Sequence, residues 1–422
     1  MNLSLTYLRL NGLFIAPTLS INTKTRFNSI IIKDSSISKS FFPFIKSNFH
    51  NKLEIQRSSF NRFLSSAIKI ENLFVEDKTF ANGLNYIYDS SIVCKDCQFR
   101  HCFSKNKGSA ICTSAPLKLF CCLFQTCSSE VGAALYCADL DSNFCSFYDC
   151  IAKNSSSVAF VTKSDHLILI FTGCHKCEAA STALIECSTN DVSSTSLNLT
   201  QIQTSTSKGA FYFKNSNGNI NYIIINSFVT HASCCGFYLE NTKDFLFSHT
   251  YVARMVSFGS NVYHGTLIHG EYLQGDAKLL HSTIVSLRIN RGYAFAAYNS
   301  NGGRIIVTDV CHNLVGRISE GDVVLENNTI KTNYPCERFI VLAFYRDIGY
   351  KEAIKKRKSW IQRFKNEILY NDVNPVVVVI FIVGIFLPLF YLLFVVFFPE
   401  KKKKSSKNPK KAAKDVVKQS NV

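Results

Sequence analysis

The side chains that could do chemistry are few in this 422-residue chain. Glycoside hydrolysis needs two carboxyl groups roughly 5–9.5 Å apart. The region before residue 335 is poor in acids. Asp139 and Asp141 alternate, and so could share one side of a strand. Asp165-His166 and His269-Gly270-Glu271 are the other acid–histidine neighbours. Each reads more simply as a solvated turn or rim residue. No phosphate-binding loop, dinucleotide fingerprint, H-E-x-x-H helix or nucleophile elbow is present. Sequence alone therefore assigns no catalytic residue and implies no cofactor.

Cysteine is the other chemical signal. There are 17, and Cys94-x-x-Cys97 and Cys174-His-Lys-Cys177 have the spacing of zinc knuckles. The two pairs lie too far apart along the chain for a shared metal to be expected. Two structural readings stay open for the cysteines between Cys94 and Cys187. They are disulfides, which suit an extracellular body, or buried thiols acting as small apolar side chains.

The cysteines belong to a repeat. Phe-x-x-Cys occurs as Phe99/Cys102, Phe124/Cys127, Phe147/Cys150 and Phe171/Cys174, and Cys97, Cys122 and Cys145 precede the first three by two residues. A second element puts a small residue before an apolar one, at Ala110, Ala134, Ala159 and Ala183. Both recur about every 24 residues. Each unit holds short runs of Phe, Ile, Val, Tyr and Thr broken by Asn, Ser, Asp and Gly, so it predicts two or three short strands and no helix. Strands in a fixed repeat coil into a parallel β-helix, in which equivalent residues stack about 4.8 Å apart as internal ladders. The leucine-rich pattern of similar period is absent. The expected fold is all-β, a right-handed parallel β-helix over residues 26–334, in twelve or thirteen units. Residues 1–25 would form an N-terminal segment without a clear signal peptide.

These elements resemble the repeat of chlamydial polymorphic membrane proteins. They are closer to β-helix surface proteins of trichomonad-type protists, which end in one transmembrane helix and a short basic tail. Gly-Ser-Ala and Gly-Ala-Ala stand here in place of Gly-Gly-Ala, Cys stands where Asn is common, and there is no C-terminal β-barrel. The resemblance implies a pectin-lyase-like coil and a surface location, and it implies adhesion or host interaction weakly, because fold does not fix function.

Val376–Phe398 is 23 residues without a charge. At about 1.5 Å per residue it can cross a hydrocarbon core of roughly 30 Å. Net charge is +17. Nine Lys against Glu400 and Asp415 follow the apolar run, giving +7. A juxtamembrane stalk, residues 335–375, precedes it. The charge thus points to anionic lipid headgroups rather than nucleic acid. The positive-inside rule places the tail, residues 399–422, in the cytosol and the body outside, at the plasma membrane or in a secretory compartment. Sequons at Asn154, Asn198 and Asn327 would then be open to glycosylation. The expected function is a membrane surface scaffold that binds an extracellular protein or glycan. The alternatives are a polysaccharide-acting β-helix enzyme or a degenerate relative, and a tail-anchored intracellular scaffold.

Overall fold

The computed structural model describes residues 2–21, 29–47, 52–70, 91–205, 208–230, 236–258, 264–285, 287–314 and 317–330. The stalk, the apolar segment 376–398 and the lysine-rich tail lie outside them. Every described element is a strand or bridge, and every strand pairing is parallel. The chain winds as a β-solenoid with three strand-bearing faces. No described helix is long and apolar enough to cross a membrane.

The first turn is made by Asn2–Thr6, Arg9–Phe14 and Leu19–Ile21. They pair with Ser29–Lys33, Ser36–Ser40 and Ile45–Ser47 of the second turn. The coil thus begins before residue 26, because Leu3, Leu5 and Leu10 already have the inward alternation of Ile30, Ile32 and Ile37.

Register then holds along the coil. On the first face Leu3, Ile30, Leu53, Ile92, Leu117, Leu140, Leu167 and Val192 are successive partners. The column continues through Gly218 to Phe245. A Cβ on Gly218 would sit 2.7 Å from the Phe245 ring, so the missing side chain makes room for it. On the middle face Phe60, Phe99, Phe124 and Phe147 are partners, with ring centroids 5.0, 5.0 and 4.8 Å apart. The inter-strand spacing is close to the optimal distance of offset aromatic stacking, so one column satisfies both.

Two tight corners flank each middle-face strand. The first holds a non-glycine residue with φ between 46° and 54°: Asp34, Arg57, Asp96, Cys121, Phe144 or Phe171. Left-handed backbone is costly for L-residues. Here the N–H of the corner residue bonds the turn above, as in Asp96 N–H to Phe120 O at 2.9 Å. The next residue is buried and small: Ser35, Ser58, Cys97, Cys122, Cys145 or Thr172. Each donates to the carbonyl two residues behind it, from Ser58 Oγ–Gln56 O at 2.8 Å to Cys122 Sγ–Phe120 O at 3.5 Å. The second corner repeats the device five residues later. His101, Thr126, Asp149 and Lys176 have positive φ and precede buried Cys102, Cys127, Cys150 and Cys177.

Those columns correct two repeat assignments. Phe171 is a corner residue stacked on Phe144 at 4.8 Å, and the partner of Phe147 is Cys174. The fourth Phe-x-x-Cys is thus Cys174-x-x-Cys177, with Cys in the Phe column. On the third face Ala110 and Ala134 share a column, but Ala159 pairs with Leu135 and Ile185. Ala183 falls one position the other way, bonding Gly209 where Ala110 bonds Ala134. The spacing is set by the chain length around the corner, and a small side chain fits at any of three neighbouring positions there.

The thirteen cysteines from Cys94 to Cys187 form no disulfide, and all except Cys121 are buried. The two Cys-x-x-Cys pairs occupy four different columns. Among the described residues no group of three or more metal-ligating side chains converges. Cys311 is disulfide-bonded.

Candidate binding face

The residues singled out for chemistry fall in separate places. Asp141 lies on the first face between Lys118 and Ile168, and it accepts from Asn143 Nδ2 at 2.5 Å. No acid faces it from a neighbouring turn in register. His166 lies 3.7 Å from Asp191, with both side chains more than half exposed. Asn154 and Asn327 are exposed, whereas Asn198 is 8% exposed within a strand paired on both sides.

His269 and Glu271 behave differently from the rim residues they resemble in sequence. Phe211–Lys214, Phe237–Glu240 and Gly265–Glu271 are successive strands of the third face. Alternation sends Phe211, Phe213, Phe237, Leu239 and Ile268 into the core. It sends Tyr212, Tyr238 and His269 outward in one column, and Lys214, Glu240 and Glu271 outward in a second. The first column is nevertheless buried: Tyr212 is 4%, Tyr238 9% and His269 1% exposed. The second column is partly open, so the face has a buried aromatic floor and a charged rim.

Each rim carboxylate is fixed from below. The Tyr212 hydroxyl donates to Glu240, and Lys214 Nζ lies 2.5 Å from the other Glu240 oxygen. Lys208 Nζ sits 3.8 Å from the centre of the Tyr212 ring. His269 Nε2 is 3.1 Å from Glu271 Oε1, and its Nδ1 accepts the Gly265 N–H at 3.2 Å. That second bond defines the tautomer: Nδ1 is the acceptor, so Nε2 carries the proton and donates to Glu271. Aromatic neighbours hold the imidazole, with Tyr238 at 4.9 Å and His264 at 4.5 Å between ring centres.

The electrostatics follow from these bonds. The His269 hydrogen bond, assisted by Tyr238, holds Glu271 below the usual carboxylate range against the opposing effect of burial. At Glu240 burial opposes ionisation, and the Lys214 and Tyr212 hydrogen bonds outweigh it, so its pKa is also lowered. Burial, reinforced by the Glu240 bond, raises the Tyr212 phenol far above its ordinary value. Burial lowers His264 to about 4, and its Nδ1 is buried without a hydrogen-bond partner. The rim thus offers two ionised carboxylates on adjacent turns, oriented by the Tyr212, Lys214 and His269 donors, and neither is held protonated. This is an acceptor pair suited to hydroxyl or cationic groups.

The sequence shows the His269-x-Glu271 pair but not the burial of His269 beneath the rim. The missing signal was the third-face alternation across turns, which aligns Tyr212, Tyr238 and His269 although they are 26 and 31 residues apart.

No protein-family profile, curated protein or solved structure matches the chain. The class that the fold defines is a parallel β-solenoid.

Proposed function

We propose that the chain is a single-pass membrane surface protein whose β-helix body binds an extracellular ligand, a hydroxyl-rich glycan, through its third face. The carrying observation is the pair of ionised carboxylates, Glu240 and Glu271, held on adjacent turns by Tyr212, Tyr238 and His269. Preorganised acceptors bind with less ordering cost than free side chains. The apolar run Val376–Phe398 and the following Lys401–Lys404 support an anchor with its basic side on the cytosolic leaflet.

Surface biotinylation of intact cells tests sidedness: an unlabelled body would favour the intracellular scaffold. Glycan-array binding by the full chain in nanodiscs tests the face. Glu240→Gln with Glu271→Gln should abolish the signal, and an unchanged array would overturn the assignment.

A polysaccharide-acting reading draws on one observation. Adjacent turns lie about 4.8 Å apart, near the carboxyl separation of roughly 5–5.5 Å in retaining glycosidases. The lowered pKa of both carboxylates weighs against it. Release of reducing sugar from a bound glycan would reinstate it.

A further inference from the structure

A second site lies away from the third face, at the second corner of the early turns. Lys39, Arg62 and His101 occupy equivalent corner positions. Their neighbours Ser38, Asn61 and Arg100 are in register on one side, and Ser40, Phe63 and Cys102 on the other. All three have positive φ, between 50° and 62°, and all are exposed. Consecutive turns thus stack three basic side chains one above another. Among the described residues no carboxylate pairs with any of them.

An apolar column runs directly beside the basic one. Phe41, Leu64 and Phe103 each follow the buried corner residue, and their N–H groups bond Phe14, Ser40 and Phe63 carbonyls at 3.2, 2.8 and 2.7 Å. They are 44%, 54% and 42% exposed, unusual for such side chains on three successive turns. Together with Leu13 the two columns line an open cavity of about 440 Å³. That is within the size range of small-ligand sites, roughly 300–1,000 Å³.

We propose that this groove binds a long-chain carboxylate, with the acyl chain along Phe41, Leu64 and Phe103 and the carboxylate against Arg62 and Lys39. Charge complementarity selects the occupant. Among the described residues the wall carries cations and no acid, so it favours an anion. The apolar column runs along the coil axis, so it favours an unbranched chain over a compact anion. Arg62 can hold the head group with two parallel hydrogen bonds, and Lys39 adds a point charge. The site rests on different residues from the glycan face, and either can fail without the other.

The test uses the full chain in nanodiscs of zwitterionic lipid, with a C12 fatty acid bearing a chain diazirine, and peptide mapping of the photoproducts. Labelling of the Phe41, Leu64 and Phe103 peptides is expected. Excess laurate should compete at least tenfold better than lauryl alcohol. Lys39→Gln with Arg62→Gln should reduce labelling of these peptides at least tenfold, with labelling elsewhere in the chain unchanged as the internal control. Leu64→Asp, on an exposed position, should do the same. Equal competition by acid and alcohol, or unchanged labelling in both variants, would overturn the proposal. So would light scattering that shows a dimer in the native chain and a monomer in Leu64→Asp, because the groove would then be occupied by a second copy.

Discussion

Phe147 lies in register with Cys174 rather than with Phe171, and this one-rung substitution ends the stacked phenylalanine column of the middle face. Upstream, Phe124 sits between Phe99 and Phe147 with all three rings fully enclosed. Backbone ladders fix the spacing of the turns, so the coil cannot close around a missing ring. Phe124→Ala should therefore cost about 3–5 kcal/mol. Phe171→Ala, at a half-buried corner, should cost roughly 1 kcal/mol or less. Denaturant unfolding of the two variants provides the comparison, and similar losses would place Phe171 in the core column after all.

The first-corner column contains Ser35, Ser58, Cys97, Cys122, Cys145 and Thr172 in the same hydrogen-bonded role. Cys122→Ser should be tolerated within about 1 kcal/mol, because a hydroxyl makes the same bond to the carbonyl two residues back. Cys174→Ser should cost about 1–3 kcal/mol, since the Phe column gives a hydroxyl no such carbonyl. Burial also raises the thiols of Cys122, Cys145 and Cys150. Iodoacetamide at pH 8 should label Cys121 in the native protein and reach the other thiols between Cys94 and Cys187 only in urea. Native labelling of Cys122 would contradict the burial.

The phenylalanine ladder was legible in the sequence because one residue type marks one column at Phe99, Phe124 and Phe147. The corners were not. Asp34, Arg57, Asp96, Cys121, Phe144 and Phe171 share a backbone conformation and no side-chain chemistry. Their left-handed φ is imposed by bonds to the neighbouring turn, which no single repeat contains. Ala159 and Ala183 were misplaced for the related reason that small residues are acceptable at several adjacent third-face positions. The binding face was obscured further, since its residues come from three turns, two from each, and only the register between turns brings them together.

The three sequons separate by structure. Asn198 is nearly enclosed, its strand is bonded to Gly173 and Ile224 on its two sides, and Thr200 Oγ1 lies 3.2 Å from its Oδ1. A glycan there would have to displace ladder neighbours. Asn154 and Asn327 are exposed, and Asn327 stands at a corner with φ 49°. If the body enters the secretory pathway, endoglycosidase treatment followed by peptide mapping should find occupancy at Asn154 and Asn327 and little at Asn198. Full occupancy of Asn198 would mean that its strand is open during folding or is placed differently.

The binding face also sets a direction for acid sensitivity. His264 is held near 4 in the folded chain, below its ordinary value of 6.5, chiefly because burial penalises the imidazolium. Between those values the unfolded chain binds a proton that the folded chain does not. Stability therefore rises with pH across this window and is lost as pH falls from about 6.5 toward 4. Glu271 acts in the same direction at lower pH: its carboxyl is held down by His269, so its contribution is present above the unfolded value and disappears as pH falls through the folded one. Protonated His264 would also face His269, 4.5 Å away between ring centres, whose bond orients Glu271. The melting temperature should thus drop between pH 6.5 and 4. His264→Gln should flatten that part of the profile, and Glu271→Gln should flatten only the more acidic part. A wild-type profile level from pH 6.5 to 4 would show that His264 is hydrated in solution, and the floor of the third face would then be open to solvent.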